Sequence, residues 1–103
     1  MAGRSNLHPI EEGEQFEPAV RHICTFLKVD RGAFDRVMAG VRWVIARDPD
    51  KPPLASGSKT RHFVFTNRTH CPEGDVPMLR VTYRIVSGGV VILVFVETVD
   101  VFL

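Results

Sequence analysis

Leu79–Ile85, LRVTYRI, alternates strictly, and no other stretch restricts the fold as much. With a period of two, Leu79, Val81, Tyr83 and Ile85 take one face of a strand, and Met78, Arg80, Thr82 and Arg84 take the other. Gly88-Gly89 follows and predicts a two-residue turn, because both central positions tolerate positive φ. The apolar run Val90–Val96 then returns as the second strand of a hairpin. A membrane span is excluded for this run, which falls far short of about 20 residues and is followed by Glu97 and Asp100.

A two-residue turn sets Ile85 against Ile92, Tyr83 against Val94 and Val81 against Val96. On the opposite face it sets Arg84 against Leu93, Thr82 against Phe95 and Arg80 against Glu97. The first face is apolar and suited to receive helices. The second carries arginines beside Val91, Leu93 and Phe95, a strip that helices on one side of the sheet leave open. Contiguous open apolar surface implies a partner, with Val91, Leu93 and Phe95 as its binding residues; the alternative is that the N-terminal segment or a loop covers the strip. Arg80 and Glu97 read first as a cross-strand ion pair worth about 0.2–1 kcal/mol, and second as a phosphate contact with a competing carboxylate.

Upstream the period changes to that of a helix. Pro18 suits a first turn, and Val20, Ile23, Cys24 and Leu27 follow at i, i+3, i+4 and i+7. A second helix begins at Asp30 as N-cap, with Val29 placed to staple onto Phe34. Phe34, Val37, Met38, Val41, Val44 and Ile45 continue it until Asp48-Pro49. So few residues join the two helices that an antiparallel helical hairpin is expected. Asp48–Lys59 reads as a loop, Arg61–Thr66 as a strand with Phe63 and Phe65 on one face, and Arg68–Val76 as a second loop. NLHPI is a candidate first strand whose Pro9 fits only an edge or an end. The expected architecture is α+β: a helical hairpin packed on one face of a small, mainly antiparallel sheet, in the order β-α-α-β-β-β. One domain of 103 residues is expected, with residues 1–15 a loosely ordered arm or first strand.

The formal net charge of +1 gives no global field for nucleic acid, so any such contact needs a local patch. Lys59, Arg61, Arg68 and His70 flank the third sheet element and offer one, although charged edge residues also serve to block unwanted strand pairing. His62, His70, Cys71 and Cys24 fit no usual zinc spacing, and neither SGSK nor SGG cradles a nucleotide. No metal or cofactor is expected. Trp43 lies close to the apolar stripe of the second helix and reads as core or interface. Two cysteines and an N-terminus without an apolar leader make a cytoplasmic protein the expectation.

The segment LRVTYRI-VSGG-VVILVFVETVDVF, with RDP closing the second helix at Arg47–Pro49, resembles the C-terminal half of RelE/ParE-type bacterial toxins. The resemblance covers most of Phe16–Phe102. It implies a small toxin held by a cognate antitoxin in a hetero-oligomer, acting on the ribosome and its mRNA as an endoribonuclease or on DNA gyrase by binding. By position, Arg80 matches the strand arginine of the nuclease group and Tyr83 a tyrosine that is mainly core there. The chain departs where the family ending has histidine and arginine, here Glu97 and Thr98, and where it has a terminal tyrosine, here Phe102. Val64 and Thr66 stand where the nucleases place lysines. Transesterification at phosphorus needs a base, an acid and cations, and Arg80 and Glu97 are the candidate catalytic pair, with Arg61, Arg68 and Arg84 as outlying contacts. The first expectation is a toxin-like protein acting by binding. The second is an active endoribonuclease with an unusual site, and the third an unrelated α+β interaction module.

Overall fold

The computed structural model describes residues 7–50 and 61–99. Most of the Asp48–Lys59 loop, the first six residues and the VDVF ending from Asp100 lie outside them. The elements are β1 (Ile10–Glu12), α1 (Phe16–Phe26), α2 (Arg31–Arg47), β2 (Arg61–Phe65), β3 (Thr69–Cys71), β4 (Gly74–Val76), β5 (Leu79–Ile85) and β6 (Val91–Thr98). Four strands form the main sheet in the order β1-β6-β5-β2, and β3 pairs with β4 in a separate hairpin. Only the β1–β6 pair is parallel. The α+β arrangement expected from the sequence is therefore present, with a small hairpin added where a plain loop was expected.

The helices form where periodicity and capping agree. Asp30 has extended backbone, and its carboxylate accepts from the Ala33 N–H at 3.0 Å, which satisfies one of the donors a helix start leaves unpaired. The C-terminal stop also falls at Asp48, whose N–H closes on the Val44 carbonyl. In α1 the buried residues are Phe16, Ala19, Val20 and Ile23, while Leu27 lies past the helix end and is exposed. Lys28 then adopts φ 54°, a left-handed position normally filled by glycine, and Val29 N–H bonds back to the Cys24 carbonyl.

A single core cluster joins α1, α2 and one sheet face. Phe16, Val20 and Ile23 meet Phe34, Met38, Val41 and Ile45 above Leu79, Val81, Tyr83, Val91, Leu93 and Val96. Each large apolar side chain fully removed from water contributes roughly 1.5–3 kcal/mol before entropy is counted. Tyr83 is the one phenol in this core, and its hydroxyl donates to the Pro49 carbonyl at 2.6 Å. Burial, reinforced by Asp50 and Asp48, pushes its pKa well up. Ion pairs bind the layer's rim. Arg31 donates to both carboxylate oxygens of Glu17 and to Asp35, and holds Glu17 below the usual carboxylate range. Arg36 does the same for Glu73 on the β3–β4 turn.

The hairpin departs from its expected register in two places. The turn takes three residues, Ser87–Gly89, closed by Val86 N–H on the Val90 carbonyl, with Gly88 at φ 84° and Gly89 at φ 78°. This shifts the upper pairing to Ile85↔Val91, Arg84↔Ile92 and Tyr83↔Leu93. A β-bulge at Val94 then takes up the extra residue and restores Thr82↔Phe95, Val81↔Val96 and Arg80↔Glu97. The lower half therefore pairs as expected and the upper half is displaced by one.

Candidate interaction surface on the open sheet face

The displaced register decides which side chains face outward. Val91 and Leu93, expected on the open face, are both 0 % exposed and belong to the core. A slip of one residue turns a strand's side chains to the other face, so Val91 and Leu93 cannot touch a partner. Ile92 and Val94, both half-buried, take their places near the arginines, while Phe95 stays outward at 41 % exposure.

Across the sheet the same face continues onto β2. Register pairs Phe65 with Arg80, Phe63 with Thr82 and Arg61 with Arg84. Residues directly opposite share a face, so Arg61, Phe63 and Phe65 join Arg80, Thr82 and Arg84 there. Phe63 and Phe65 meet edge to face with centroids 5.3 Å apart. Both helices and the β3–β4 hairpin belong to the opposite side, with Val76 of β4 in the core cluster. Among the described residues no helix or hairpin lies over the open face.

Two charge groups stand on this face, separated along β5 by the four steps from Arg80 to Arg84, or about 13 Å. In the first, Arg80 donates to Glu97 Oε2 through both Nε (2.9 Å) and Nη2 (2.7 Å). The pair is formed as the alternation implied, with both side chains more than one third exposed, so solvent screening keeps its contribution small. In the second, Arg61 and Arg84 are cross-strand neighbours, a like-charge juxtaposition that disfavours the sheet unless something anionic offsets it. Arg84 forms no ion pair among the described residues. A pocket beside these two arginines is lined by Ile92, Val94 and the Gly13–Gln15 connection. Arg68 is not part of either group; it lies beyond the far end of β2, in the connection to β3.

Glu97 accepts two hydrogen bonds from one cation, and it lines a pocket with Phe95, Thr98 and His22 of α1. His62 points to the core side, where it stacks on Tyr83 at 5.4 Å, and His70 donates to Asp75 on the outlying hairpin. Among the described residues no three His, Cys, Asp or Glu side chains gather to hold a metal ion, and no helix is long and apolar enough to cross a membrane. Sequence reading missed Phe63, Phe65, Ile92 and Val94 as face residues. The β2 alternation signalled the two phenylalanines, but nothing in an all-apolar strand marks a bulge. No protein-family model matches the chain, and no curated protein or solved structure does either.

Proposed function

We propose that this chain is the toxin-like half of a two-protein toxin–antitoxin module, and that it acts by binding through the open sheet face. The observation that carries this reading is the like-charged pair Arg61–Arg84 beside Ile92, Val94 and Phe95, on a face that no described helix covers. An apolar strip bordered by cations suits an acidic, amphipathic segment, whose carboxylates would meet Arg84 and whose apolar side would lie on Ile92, Val94 and Phe95. An antitoxin of that character is the partner, and gyrase or the ribosome is the target the same surface reaches when the antitoxin leaves. A cytoplasmic setting is part of this reading.

Co-expression with the reading frame next to the gene tests it. The expected result is a stable complex with a short acidic protein, weakened at least tenfold by Arg84→Glu. A freely soluble chain that captures nothing from its neighbour contradicts the proposal. The endoribonuclease reading is favoured instead if RNA is cut in a translating extract and both Arg80→Ala and Glu97→Ala abolish the cut, because binding alone needs no such pair.

A further inference from the structure

A second surface lies on the other side of the molecule's edge, between α2 and β2, and it does not depend on the toxin reading. Val37, Gly40, Val41 and Val44 of α2 face Val64 across a groove of about 520 Å³, with Phe65 at its rim, where the groove meets the open sheet face. Its exposed members are large: Val44 and Phe65 are each 52 % exposed, and Trp43 beside them is 55 % exposed. Gly40 sits mid-groove, and a Cβ there would meet nothing within 4 Å, so the helix surface dips between Val37 and Val44.

The wall of this groove is a strand edge that pairs with no other strand among the described residues. β2 is the outermost strand of the sheet. Thr66 N–H bonds to the Leu79 carbonyl on β5. By the alternation of an antiparallel ladder, Val64 and His62 also face β5, and the backbone groups of Phe63 and Phe65 face outward. A free edge above an apolar trough is the arrangement that accepts an added strand: main-chain bonds give affinity and alternate side chains fill the trough.

Charge selects the kind of strand. No acidic residue lines the trough. Arg36 at one end is already paired with Glu73. Arg47 at the other end lies over the Trp43 ring at 4.3 Å and has no carboxylate partner among the described residues. Exposed Trp and Arg together are the side chains that most often dominate protein contacts. The eleven steps from Arg36 to Arg47 span about 16 Å of helix, the length of about five extended residues. A second copy pairing through its own β2 fits poorly, since RHFVF brings a further arginine and no carboxylate to answer Arg47.

We infer that the α2–β2 groove receives an extended segment of another protein, about five residues long, apolar at alternate positions and carrying carboxylates at the end that meets Arg47. The test uses the full chain and a fluorescein-labelled peptide of five alternating valines and threonines flanked by two glutamates at each end. The lysine-flanked peptide serves as control. Saturable binding is expected for the glutamate peptide only, at least tenfold weaker in Val44→Asp and in Arg47→Glu. Nuclear magnetic resonance should show the Phe63 and Phe65 amides shifted and protected from exchange on binding.

No binding of the glutamate peptide, or equal binding of both peptides, overturns the inference. So does a chain that dimerises through these residues by light scattering, with Val44→Asp restoring the monomer, because the occupant is then a second copy. If Arg84→Glu weakens the peptide and Val44→Asp does not, the peptide sits on the open sheet face; this inference then fails while the toxin-like reading stands.

Discussion

Lys28 and Tyr83 are the residues whose local chemistry most clearly limits the fold. Lys28 holds a left-handed conformation at the end of α1, where an L side chain crowds its own carbonyl. Lys28→Gly removes that crowding but adds freedom to the unfolded chain. The expected balance is a stabilisation of about 0.5–1 kcal/mol, visible as a higher urea midpoint, whereas the β-branched Lys28→Val lowers it. Tyr83 is held by burial and by the Pro49 carbonyl, which Tyr83→Phe leaves without its donor. That substitution should cost about 1–2 kcal/mol at neutral pH. It also has a pH signature. The folded pKa lies above the unfolded value of about 10, so the fold favours the protonated phenol. The contribution is full below about pH 10 and is lost as pH rises through the raised folded value. Denaturation from pH 8 to 11 should show the wild-type beginning to lose this increment above pH 10 and Tyr83→Phe losing none of it.

The β5–β6 hairpin shows how much a strand pattern conveys and where it stops. β5 alternates polar and apolar residues, so its faces were legible, and Arg80 opposite Glu97 followed from them. β6 is apolar on both faces through Val96, so its pattern cannot report a slip of one residue. The three-residue turn and the Val94 bulge cancel over the lower half, which is why half of the register was readable and half was not. The turn is further fixed from outside. His8 Nδ1 donates to the Gly89 carbonyl at 2.7 Å, and a Cβ on Gly89 would come within 3.0 Å of that ring, a contact between residues 81 apart in sequence. The helices were more legible because caps and breakers bound them: Asp30 and Asp48-Pro49 delimit α2 closely. The register is testable by paired truncation. Leu93→Ala should cost about 2–5 kcal/mol as a core cavity, and Phe95→Ala less than about 1 kcal/mol as an outward side chain. Comparable urea midpoints for the two variants, or a larger loss for Phe95→Ala, would place the wrong residue in the core.

At the scale of the whole molecule, the helices close one side of the sheet and leave the other to side chains that suit contact more than catalysis. Arg80 and Glu97 occupy each other, and Arg61 and Arg84 stand opposite each other beside a pocket that Glu14 also lines. Phe63 and Phe95, both opposite Thr82, lie between these groups, and Phe65 flanks Arg80. The expected catalytic ensemble is thin here: Glu97 is engaged by two hydrogen bonds from Arg80, and the histidine that shares a pocket with it, His22, comes from α1 and not from the sheet. Glu97 and Thr98 stand where the resemblance would place histidine and arginine, and Phe102, where it would place a tyrosine, lies outside the described residues. The α2–β2 groove adds a second, separable surface with an open strand edge. The central claim is that the open sheet face binds an acidic partner which restrains the chain. The most direct measurement is growth of a bacterial host on induction of the chain, with and without the adjacent reading frame, for wild-type and Arg84→Glu. The account predicts that the chain slows growth and the neighbour relieves it, and that Arg84→Glu, with fold and expression intact, breaks this relief or abolishes the slowing. Growth unaffected by the wild-type chain, or full relief of Arg84→Glu by the neighbour, contradicts it.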